Sequence, residues 1–330
     1  MKKIGLLSLI SVLLLGMLTL AFNIREVDAR SRTWIVDDDG PADFRKIQEA
    51  INAANVGDII FVRSGTYYEH IFINKSLTLI GENPSNTIVN GNGVVGNVVH
   101  IIANNTDISR FTIQNSGTIY RYPNSGILVD HSYGNNISYN IITNNLHGIW
   151  LYHSCNNTVS GNNISENQFN FAVSGIDFSH FNNDVDMDNM VGGKPIYYLI
   201  DQVNTVYDTK TKAGNIYLIN CNNITIKDLI ITKNMYGVFF WNTTNSEIKN
   251  VTASNNEFGI WLAKHSNNNT ITDNNVYSNE EFGIHLRGSN NNTIIDNNVS
   301  NSVDGINIIY SGDNIVTDNK ISNNTCGINL

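Results

Sequence analysis

The sequence predicts an all-β fold: a single-stranded, right-handed parallel β-helix with coils of about 22 residues and a short N-terminal capping helix. Three observations support this prediction. A Gly-Ile-x-Leu phrase recurs along the chain, two further short runs of β-forming residues follow most phrases, and Asn, Gly and Ser separate the runs. A period of this length with three strands and three turns is typical of a stacked solenoid.

The recurring phrase sets the length of a coil. From Gly237 onward, successive phrases lie 22, 24, 22 and 22 residues apart. Strands this short cannot bury a face alone, but stacked coils can. Each coil places about four Ile, Val or Leu side chains inward, and burying each one stabilises the fold by roughly 1.5–3 kcal/mol. The phrases begin at Gly126, Gly148, Gly175, Gly237, Gly259, Gly283, Gly305 and Gly327.

Asparagine dominates the bends between these runs. Its backbone tolerates the left-handed conformation that tight turns need, and its amide, repeated in successive coils, can hydrogen-bond along the helix axis in a ladder. We therefore expect stacked asparagines at the corners of the coils. A helical repeat is excluded because the apolar pattern alternates, Gly and Asn interrupt every segment, and strong helix formers are scarce.

Both ends of the predicted β-helix have distinct patterns. Apolar residues at helical spacing between Phe44 and Ala54 predict a short amphipathic helix, with Asp43 placed to cap it and Gly57 to end it. We expect this helix to plug the open end of the core, as solenoids require. At the other end Leu330 falls inside a coil, so we expect either that the chain is a fragment or that something else covers that end.

One interval of the repeat is irregular. Gly214 begins a further coil, and the interval from Gly175 to Gly214 exceeds the period by 17 residues. We assign these to an insertion near residues 182–213 that contains Lys194–Tyr198. The β-helix is expected to run from residue 30 to residue 330 around this insertion.

Composition and the N-terminal segment restrict location and partners. Charged residues are 15% of the chain and the net charge is −9, so nucleic acid is not expected as a partner. Lys2 and Lys3, an apolar run to Phe22 and the small-residue site Val27–Ala29 predict a signal peptide over residues 1–29. The alternative is an uncleaved anchor, the one case in which a membrane is a partner. The protein is thus expected to be secreted, at the cell surface or in the periplasm.

The three cysteines are an odd and sparse set. Such a set does not make a disulfide framework, even in an exported protein. We expect Cys155, Cys221 and Cys326 to be small apolar residues of the core.

Six segments of the chain carry a family resemblance: Trp34–Phe44, Ile47–Ile51, Gly57–Asp58, Gly65–Glu69, Lys75–Gly81 and Gly193–Leu199. These segments resemble the NosD-like proteins. The resemblance implies the pectin-lyase-like β-helix of the carbohydrate-binding and sugar-hydrolase superfamily, found at surfaces and in the periplasm and common in archaea. It also implies copper handling, because the bacterial namesake family is linked to copper delivery during nitrous oxide reductase maturation.

Enzyme motifs of related folds are largely missing. Gly65–Glu69 resembles the opening of pectin methylesterases, but the later motifs of that enzyme are absent, as are those of polygalacturonases and pectate lyases. Asp177 is the remaining candidate for an acid or base. Glycosidase chemistry normally needs a second carboxylate about 5–10 Å away, and Asp130 lies two coils off, about 10 Å along the axis.

An aromatic stripe is the main candidate binding surface. Counting from each phrase glycine, positions +1 and +3 point inward, and positions +2 and +4 point outward. Exposed aromatics in register can stack on sugar rings or bind a partner, unless the insertion near 182–213 or a partner covers them. The outward set includes Leu128, Asp130, Trp150, Tyr152, Asp177, Phe239, Trp241, Trp261, His285 and Arg287.

A histidine ladder is a candidate metal site. His131, His153 and His180 each stand five residues after their phrase glycine in three consecutive coils. Their backbones should lie about 4.7–4.9 Å apart along the axis, so the imidazoles could converge on copper or zinc. Met187 or Met190 could add a thioether ligand. The alternative is a polar stack at a turn.

Two further patterns concern the surface. Asp184, Asp186 and Asp188 alternate as calcium ligands do, but Asn189 and Pro195 replace the glycine and glutamate of a calcium loop, so a solvated acidic loop is the alternative. In an exported protein, Asn-x-Ser/Thr sequons are possible glycan acceptors. They include Asn74, Asn136, Asn156, Asn163, Asn223, Asn242, Asn250, Asn268, Asn291, Asn298 and Asn323.

The sequence leads to three hypotheses of function. The first is a non-enzymatic surface module that binds a glycan or a cell-surface protein along the stripe. The second is a copper-handling factor like the namesake family, and the third is a polysaccharide lyase or hydrolase with Asp177 as acid or base. Copper is the cofactor considered, with calcium at the acidic loop as a further option.

Overall fold

The computed structural model describes residues 31–119 and 124–330, and these residues confirm the predicted parallel β-helix. The coils have the predicted length: Ile127 is paired with Ile149, and Ile284 with Ile306, 22 residues later in each case. Residues Thr33–Leu330 make up one compact unit. The predicted signal peptide, residues 1–29, lies outside the described residues.

The chain from Thr33 to Val191 winds into three sheets, which together we call the first solenoid. Sheet A contains Thr33–Val36, Ile59–Val62, Thr78–Gly81, Asp107–Ser109, Asn136–Ser138, Thr158–Ser160 and Asp184–Val185. Sheet B begins with Gly65–Tyr67, Thr87–Asn90, Thr112–Gln114, Ile141–Thr143, Asn163–Ser165 and Met190–Val191. Sheet C contains Ile71–Ile73, Val99–Ile101, Ser125–Asp130, His147–Tyr152 and Phe169–Ser174.

The chain from Lys194 to Asn329 forms the second solenoid, and it shares sheet B with the first. Sheet B continues with Lys194–Ile200, Asn215–Ile219, Tyr236–Trp241, Phe258–Ala263, Phe282–Arg287, Asp304–Ile309 and Cys326–Asn329, which makes it a sheet of 13 strands. Sheet D contains Val203–Tyr207, Asn222–Lys227, Glu247–Lys249, Thr270–Thr272, Thr293–Ile295 and Ile315–Thr317. Sheet E contains Ile230–Thr232, Thr252–Ser254, Asn275–Tyr277, Asn298–Ser300 and Lys320–Ser322.

A strand reversal joins the two solenoids. Met190–Val191 pairs antiparallel with Lys194–Ile200, whereas the strands on either side of this pair continue in parallel. Gly192 and Gly193 connect the two strands with φ values of 55° and 77°, the left-handed conformation that two-residue hairpin loops prefer. The expected insertion near 182–213 is therefore not a loop outside the helix. Its residues form the last strands of one solenoid and the first strands of the next.

The reversal places two hydrophobic cores on opposite faces of sheet B. Parallel β-crossovers keep one hand, so strands that run the other way must close their coils on the other side of the sheet. In the second solenoid, Val238 and Phe240 at positions +1 and +3 belong to its own core. Phe239 and Trp241, at positions +2 and +4 of the same strand, belong to the core of the first solenoid. One strand therefore serves two cores.

Asparagine ladders run along the corners of the coils, as predicted. The side-chain oxygen of Asn162 accepts hydrogen bonds from the backbone and side-chain N–H groups of Asn140 at 3.0 and 3.1 Å, and Asn189 accepts from Asn162 in the same way. The two expected roles of asparagine, the left-handed turn conformation and the amide ladder, fall to two neighbouring residues. Asn156 is exposed and has a φ of 53°, whereas Asn157 is buried in a ladder.

The α-helix Ile47–Ala53 closes the N-terminal end of the first solenoid, and its apolar side chains are buried in that core, as predicted. The predicted cap is wrong, because the Asp43 carboxylate accepts a hydrogen bond from the backbone of the first strand instead. The first backbone N–H groups of the helix, those of Ile47 and Gln48, donate to the Glu69 carboxylate at 2.8 and 3.0 Å. A cap supplied by the next coil cannot be inferred from local spacing.

The phrase at Gly175 does not form the expected strand. Strand Phe169–Ser174 takes its place, and Phe171 pairs with Ile149 where Ile176 was expected. Ile176 is exposed, and the following residues Phe178–Phe181 form a 3-10 helix. The last strand of sheet C therefore ends at Ser174, before the phrase at Gly175 begins.

All three cysteines are free, in agreement with the sequence-based prediction that they form no disulfide framework. The expected burial holds fully for Cys221. Cys155 and Cys326 are partly exposed.

Candidate functional site

The predicted aromatic stripe is not a continuous exposed surface. Phe239 and Trp241 are 2% and 6% exposed, and the ring of Phe181 packs against both at centroid distances of 5.4 and 4.3 Å. His285 is 2% exposed and lies between the rings of Trp261 and Phe282. The expectation that Phe239, Trp241 and His285 are exposed is wrong: they point away from their own core, but neighbouring aromatic side chains cover that face.

Leu128 and Trp150 represent the stripe on sheet C. Leu128 is buried, which also contradicts the expected exposure. Trp150 is half-buried, packs on His147 and donates from Nε1 to the Ser174 hydroxyl at 2.8 Å. The substitution Trp150→Ala is therefore expected to cost stability, because the ring is not fully exposed as the stripe prediction implies.

A groove of about 520 Å³ lies where the last coil of the first solenoid meets the outer face of sheet B. It brings together four members of the predicted stripe and one histidine of the ladder: Tyr152, Trp241, Trp261, Arg287 and His153. The sequence pattern did not indicate four other lining residues, Tyr236, Lys264, His265 and Tyr310. An adjoining hollow of about 440 Å³ adds Asp177, Phe178, Asn220 and Asn242.

An extra residue at one corner places Lys264 and His265 at the groove. Strand partners before this corner are 22 residues apart, and ladder partners after it are 23 apart. Both residues have left-handed φ values, 46° and 62°, whereas the corresponding corners of the neighbouring coils have one left-handed residue each, Asn242 and Gly288. The 24-residue interval between the phrases at Gly259 and Gly283 is the sequence signal for this corner.

The basic side chains of the groove have no hydrogen-bond or ion-pair partner among the described residues. Lys264 Nζ lies 5.9 Å from the ring centre of Trp241, and Arg287 is exposed at the end of its strand. Within residues 31–119 and 124–330, the side chains of Lys264, His265 and Arg287 make no hydrogen bond or ion pair. Asp177 supplies the single carboxylate among the described residues that line the groove and the adjoining hollow.

Asp177 caps the 3-10 helix and does not lie on a strand. Its backbone carbonyl oxygen accepts from the backbone N–H of His180 at 3.1 Å. In return, Nδ1 of His180 accepts from the backbone N–H groups of Ile176 and Asp177 at 3.2 and 3.4 Å. The expected second carboxylate, Asp130, is bound to His100 and His131. The lining of the groove therefore offers no pair of carboxylates for glycosidase chemistry.

The three histidines of the ladder stack as the repeat predicts. Ring centroids lie 4.9 Å apart for His131 and His153, and 4.8 Å apart for His153 and His180. Burial lowers the pKa of the His153 imidazole, and the neighbouring His180 and His131 lower it further. The middle rung is therefore the one that resists protonation.

The ladder does not form a ready three-nitrogen metal site. A neutral imidazole has one lone pair, and that of His180 accepts from two backbone N–H groups. His131 contacts Asp130 through Nδ1, which leaves Nε2 for a ligand. In the described chain, the three histidines do not offer three nitrogen atoms that all lie within 4.8 Å of one another.

The acidic loop also lacks converging ligands. Asp37, Asp38 and Asp39 are the one group of three described residues whose ligand atoms lie within 4.8 Å of one another, and Asp184, Asp186 and Asp188 do not form such a group. All three loop aspartates are exposed. Burial raises the pKa of Asp186, and Asp184 and Asp188 raise it further.

Comparison with known proteins finds similarity to a family of periplasmic proteins and to a cell surface glycoprotein. The family model described as periplasmic copper-binding protein (NosD) matches residues 181–330. A cell surface glycoprotein from Methanothermus fervidus is 35% identical over 112 residues, which are 33% of this chain. The match spans only 17% of the length of that relative.

Solved structures with similar architecture include an alginate lyase from Paenibacillus sp. str. FPU-7, with 12% identity, 83% of this chain and 96% of that chain covered, and a TM-score of 0.37. The catalytic domain of a GH87 alpha-1,3-glucanase has 12% identity, covers 89% of this chain and 69% of its own, and has a TM-score of 0.45. No helix in the described part of the chain is long and apolar enough to span a membrane. The resemblance to the NosD family is thus confirmed, with the family match extending over residues 181–330.

Proposed function

We propose that this protein is an exported surface module that binds a glycan, without catalysis, in the groove between the two solenoids. The observation that carries the proposal is the set of aromatic side chains along the groove, among them Tyr152, Trp261 and Tyr310. Ligand sites are concave and largely apolar, with a few polar groups that fix orientation. This groove has that composition, and its two walls belong to different solenoids.

Two observations support an exported location, the N-terminal sequence and the similarity to known proteins. Lys2, Lys3 and the apolar run that follows them predict export. The similarity to a periplasmic family and to a cell surface glycoprotein supports the same location. A glycan of the cell envelope, or one attached to a neighbouring surface protein, is then within reach.

Binding is favoured over catalysis by the chemistry of the lining. Hydrolysis of a glycosidic bond normally uses two carboxylates, and Asp177 is the single one among the described residues at the groove. Asp177 is also the N-cap residue of a 3-10 helix and does not lie on a strand.

Tyr310→Ala is the sharpest test of the groove. Tyr310 is 84% exposed and lines the groove, so its loss should weaken glycan binding without a change in the thermal midpoint. Tyr68→Ala, at a position 67% exposed in the first coil, is the matched control. Titration calorimetry of both variants with a sugar selected on a glycan array should show at least about a tenfold loss of affinity for Tyr310→Ala, worth about 1.4 kcal/mol. Equal affinities of the two variants would place the binding site elsewhere.

The same sugar should be recovered intact. Incubation of wild-type protein with it, followed by assays for new reducing ends and for the ultraviolet absorbance of unsaturated products, separates binding from lyase or hydrolase activity. Turnover that disappears in Asp177→Asn would replace the binding proposal by the third hypothesis.

Copper handling is the second candidate function, supported by the family match and by one local arrangement. Asp130 contacts His131 through Nδ1, as outer carboxylates orient metal-binding imidazoles, and His131 stacks on His153. Copper favours imidazole ligands. Because His180 uses its lone pair internally, this candidate rests on His131 and His153 and not on the full ladder.

A copper titration tests this candidate. Neutral imidazole is required, so binding should weaken below about pH 6. His153→Ala should abolish it, whereas His265→Ala, an exposed histidine outside the ladder, should not. If both variants bind copper as the wild type does, the ladder is a turn stack and this candidate is rejected.

A further inference from the structure

We propose that the ligand of the groove is an anionic sugar, one that carries a carboxylate or a sulfate. This inference rests on the proposed glycan-binding function and specifies its ligand class. It starts from the charge of the groove, which is opposite in sign to that of the protein.

The chain has 20 basic and 29 acidic residues and a net charge of −9. Around the groove the balance is reversed. Lys264, His265 and Arg287 line it, and their side chains make no hydrogen bond or ion pair with the described residues. A cleft lined by charge of one sign focuses the electrostatic potential and attracts ligands of the opposite sign.

The basic groups lie on adjacent coils. The backbone N–H of Lys264 donates to the carbonyl oxygen of Arg287 at 3.0 Å, and that of His265 donates to Gly288 at 2.7 Å. Lys264 lies at the corner after its strand, next to Arg287 at the end of the neighbouring strand, so their like charges repel each other, and among the described residues no acidic side chain lines the groove between them. Elsewhere on the protein a comparable cation is paired: Arg63 contacts Glu82 at 2.9 Å.

The strained corner supports a ligand-binding role for these groups. Lys264 and His265 are consecutive left-handed residues, which cost of order 1–3 kcal/mol each in residues other than glycine. The equivalent corner of the next coil uses Gly288, for which this conformation is inexpensive. Asn242 and Tyr310 are the single left-handed residues at the corresponding corners of two other coils, so what distinguishes this corner is its extra residue, which places two basic side chains side by side.

The geometry combines the two features that an acidic sugar needs. The rings of Trp261 and Tyr310 offer stacking surfaces. Arg287 ends the strand that lies between the strand of Trp261 and strand Asp304–Ile309, which Tyr310 directly follows. A guanidinium binds a carboxylate or a sulfate through two parallel N–H groups. A sugar ring that stacks on the aromatic floor can therefore place its anionic group against Arg287 and Lys264.

The experiment compares matched ligands on matched variants. Wild-type protein is titrated with an oligouronate, with the same oligosaccharide after reduction of its carboxyl groups, and with a sulfated neutral oligosaccharide. The double variant Lys264→Gln/Arg287→Gln is compared with Lys320→Gln, an exposed lysine of sheet E away from the groove. Far-ultraviolet circular dichroism and thermal midpoints verify that both variants fold.

Wild type and Lys320→Gln should bind at least one anionic sugar more than about tenfold better than the neutral one, and salt should reduce this preference. The double variant should lose the preference while its affinity for the neutral sugar changes by less than about twofold. The response to uronate and to sulfate identifies which anion is recognised.

Two results would overturn the inference. If the wild type binds neutral and anionic sugars equally, with affinity that depends on Tyr310, the charge argument fails and the glycan-binding proposal stands. If no sugar of the panel binds to the wild type, both proposals fail together.

Discussion

Two identical phrases, one in each solenoid, show that the surroundings of a side chain are not determined by the local sequence alone. Gly148–Leu151 and Gly259–Leu262 both read Gly-Ile-Trp-Leu, and in both the Ile and Leu side chains are fully buried. The tryptophans differ. Trp150 donates its Nε1 hydrogen to Ser174, whereas the buried Nε1 of Trp261 has no partner in the described chain and its ring packs against Tyr236 and Phe258.

The difference arises from the reversal at Gly192 and Gly193. In the first solenoid, sheet C has its single core on one face, and Trp150 lies on the other. In the second solenoid, sheet B carries a core on both faces near the junction. The surroundings of the inward side chains of a phrase are thus determined by its own coil. The surroundings of the outward side chains depend on which residues of the other solenoid pack against that face.

Among the variants that test this comparison, Phe239→Ala should cause the largest loss of stability. The side chain is 2% exposed and is part of the core of the first solenoid although its strand belongs to the second. Truncating a buried phenylalanine costs about 3–5 kcal/mol. Phe72→Ala, on the outer face of sheet C and 41% exposed, should cost less than about 1 kcal/mol. Urea unfolding of both variants measures the difference, and equal losses would show that the outer faces of the two solenoids are alike.

His285 makes the second solenoid sensitive to pH. Burial lowers the pKa of its imidazole to about 4, from an ordinary 6.5. Below pH 6.5 the unfolded chain takes up a proton that the folded chain refuses until about pH 4. The stabilising contribution is therefore complete above pH 6.5 and is lost as the pH falls towards 4, by about 3 kcal/mol in total.

The measurement is urea unfolding at pH 7.5 and pH 4.5. His285→Gln should reduce the loss of stability between these two values, whereas His265→Gln, at an exposed position, should leave it at the wild-type size. Parallel losses in wild type and His285→Gln would assign the acid sensitivity to other groups.

The sequence predicted the coils but not their division into two solenoids. Period and alternation identified the strands, the asparagine ladders and the plug helix, because each depends on neighbours one coil away. The turn at Gly192-Gly193 reverses the direction of the chain within two residues. The spacing of a repeat does not show in which direction its strands run. The burial of Phe239 and Trp241 follows from that reversal, so it could not be predicted from the phrase in which they occur.

The sequence pattern identified some of the residues that line the groove but not which of them come together. Tyr152, Trp241, Trp261 and Arg287 were identified as outward residues, and all four line it. Lys264 and His265 come from the long 24-residue interval, a signal that the sequence contains. Which of these residues meet depends on where the first solenoid stops, and the misleading phrase at Gly175 conceals that point.

Gly193→Ala should weaken the junction to an intermediate extent. Gly193 has a φ of 77°, and a side chain in the left-handed region costs about 1–2 kcal/mol. No atom lies within 4 Å of the position of an added Cβ, so the effect is one of backbone strain. Gly312→Ala, where the nearest atom is 3.8 Å away, is the control and should change stability by less than about 0.5 kcal/mol. A thermal midpoint of Gly193→Ala equal to that of Gly312→Ala would show that the turn tolerates other residues.

Ser174→Ala should have the smallest effect, and it tests the tryptophan comparison directly. The Ser174 hydroxyl accepts the Trp150 Nε1 hydrogen at 2.8 Å at the end of the last strand of sheet C. A hydrogen bond of this kind contributes about 0.5–1.5 kcal/mol, and because Trp150 is half-buried, water from the groove can replace part of it. We expect a loss of about 0.5–1 kcal/mol by urea unfolding, against no change for the exposed control Ser179→Ala. The indole N–H resonance of Trp150 should shift in Ser174→Ala, while that of Trp261, which has no such partner, should stay in place. A shift of both signals would mean that the two tryptophans share one environment and that the division between the solenoids is weaker than their cores indicate.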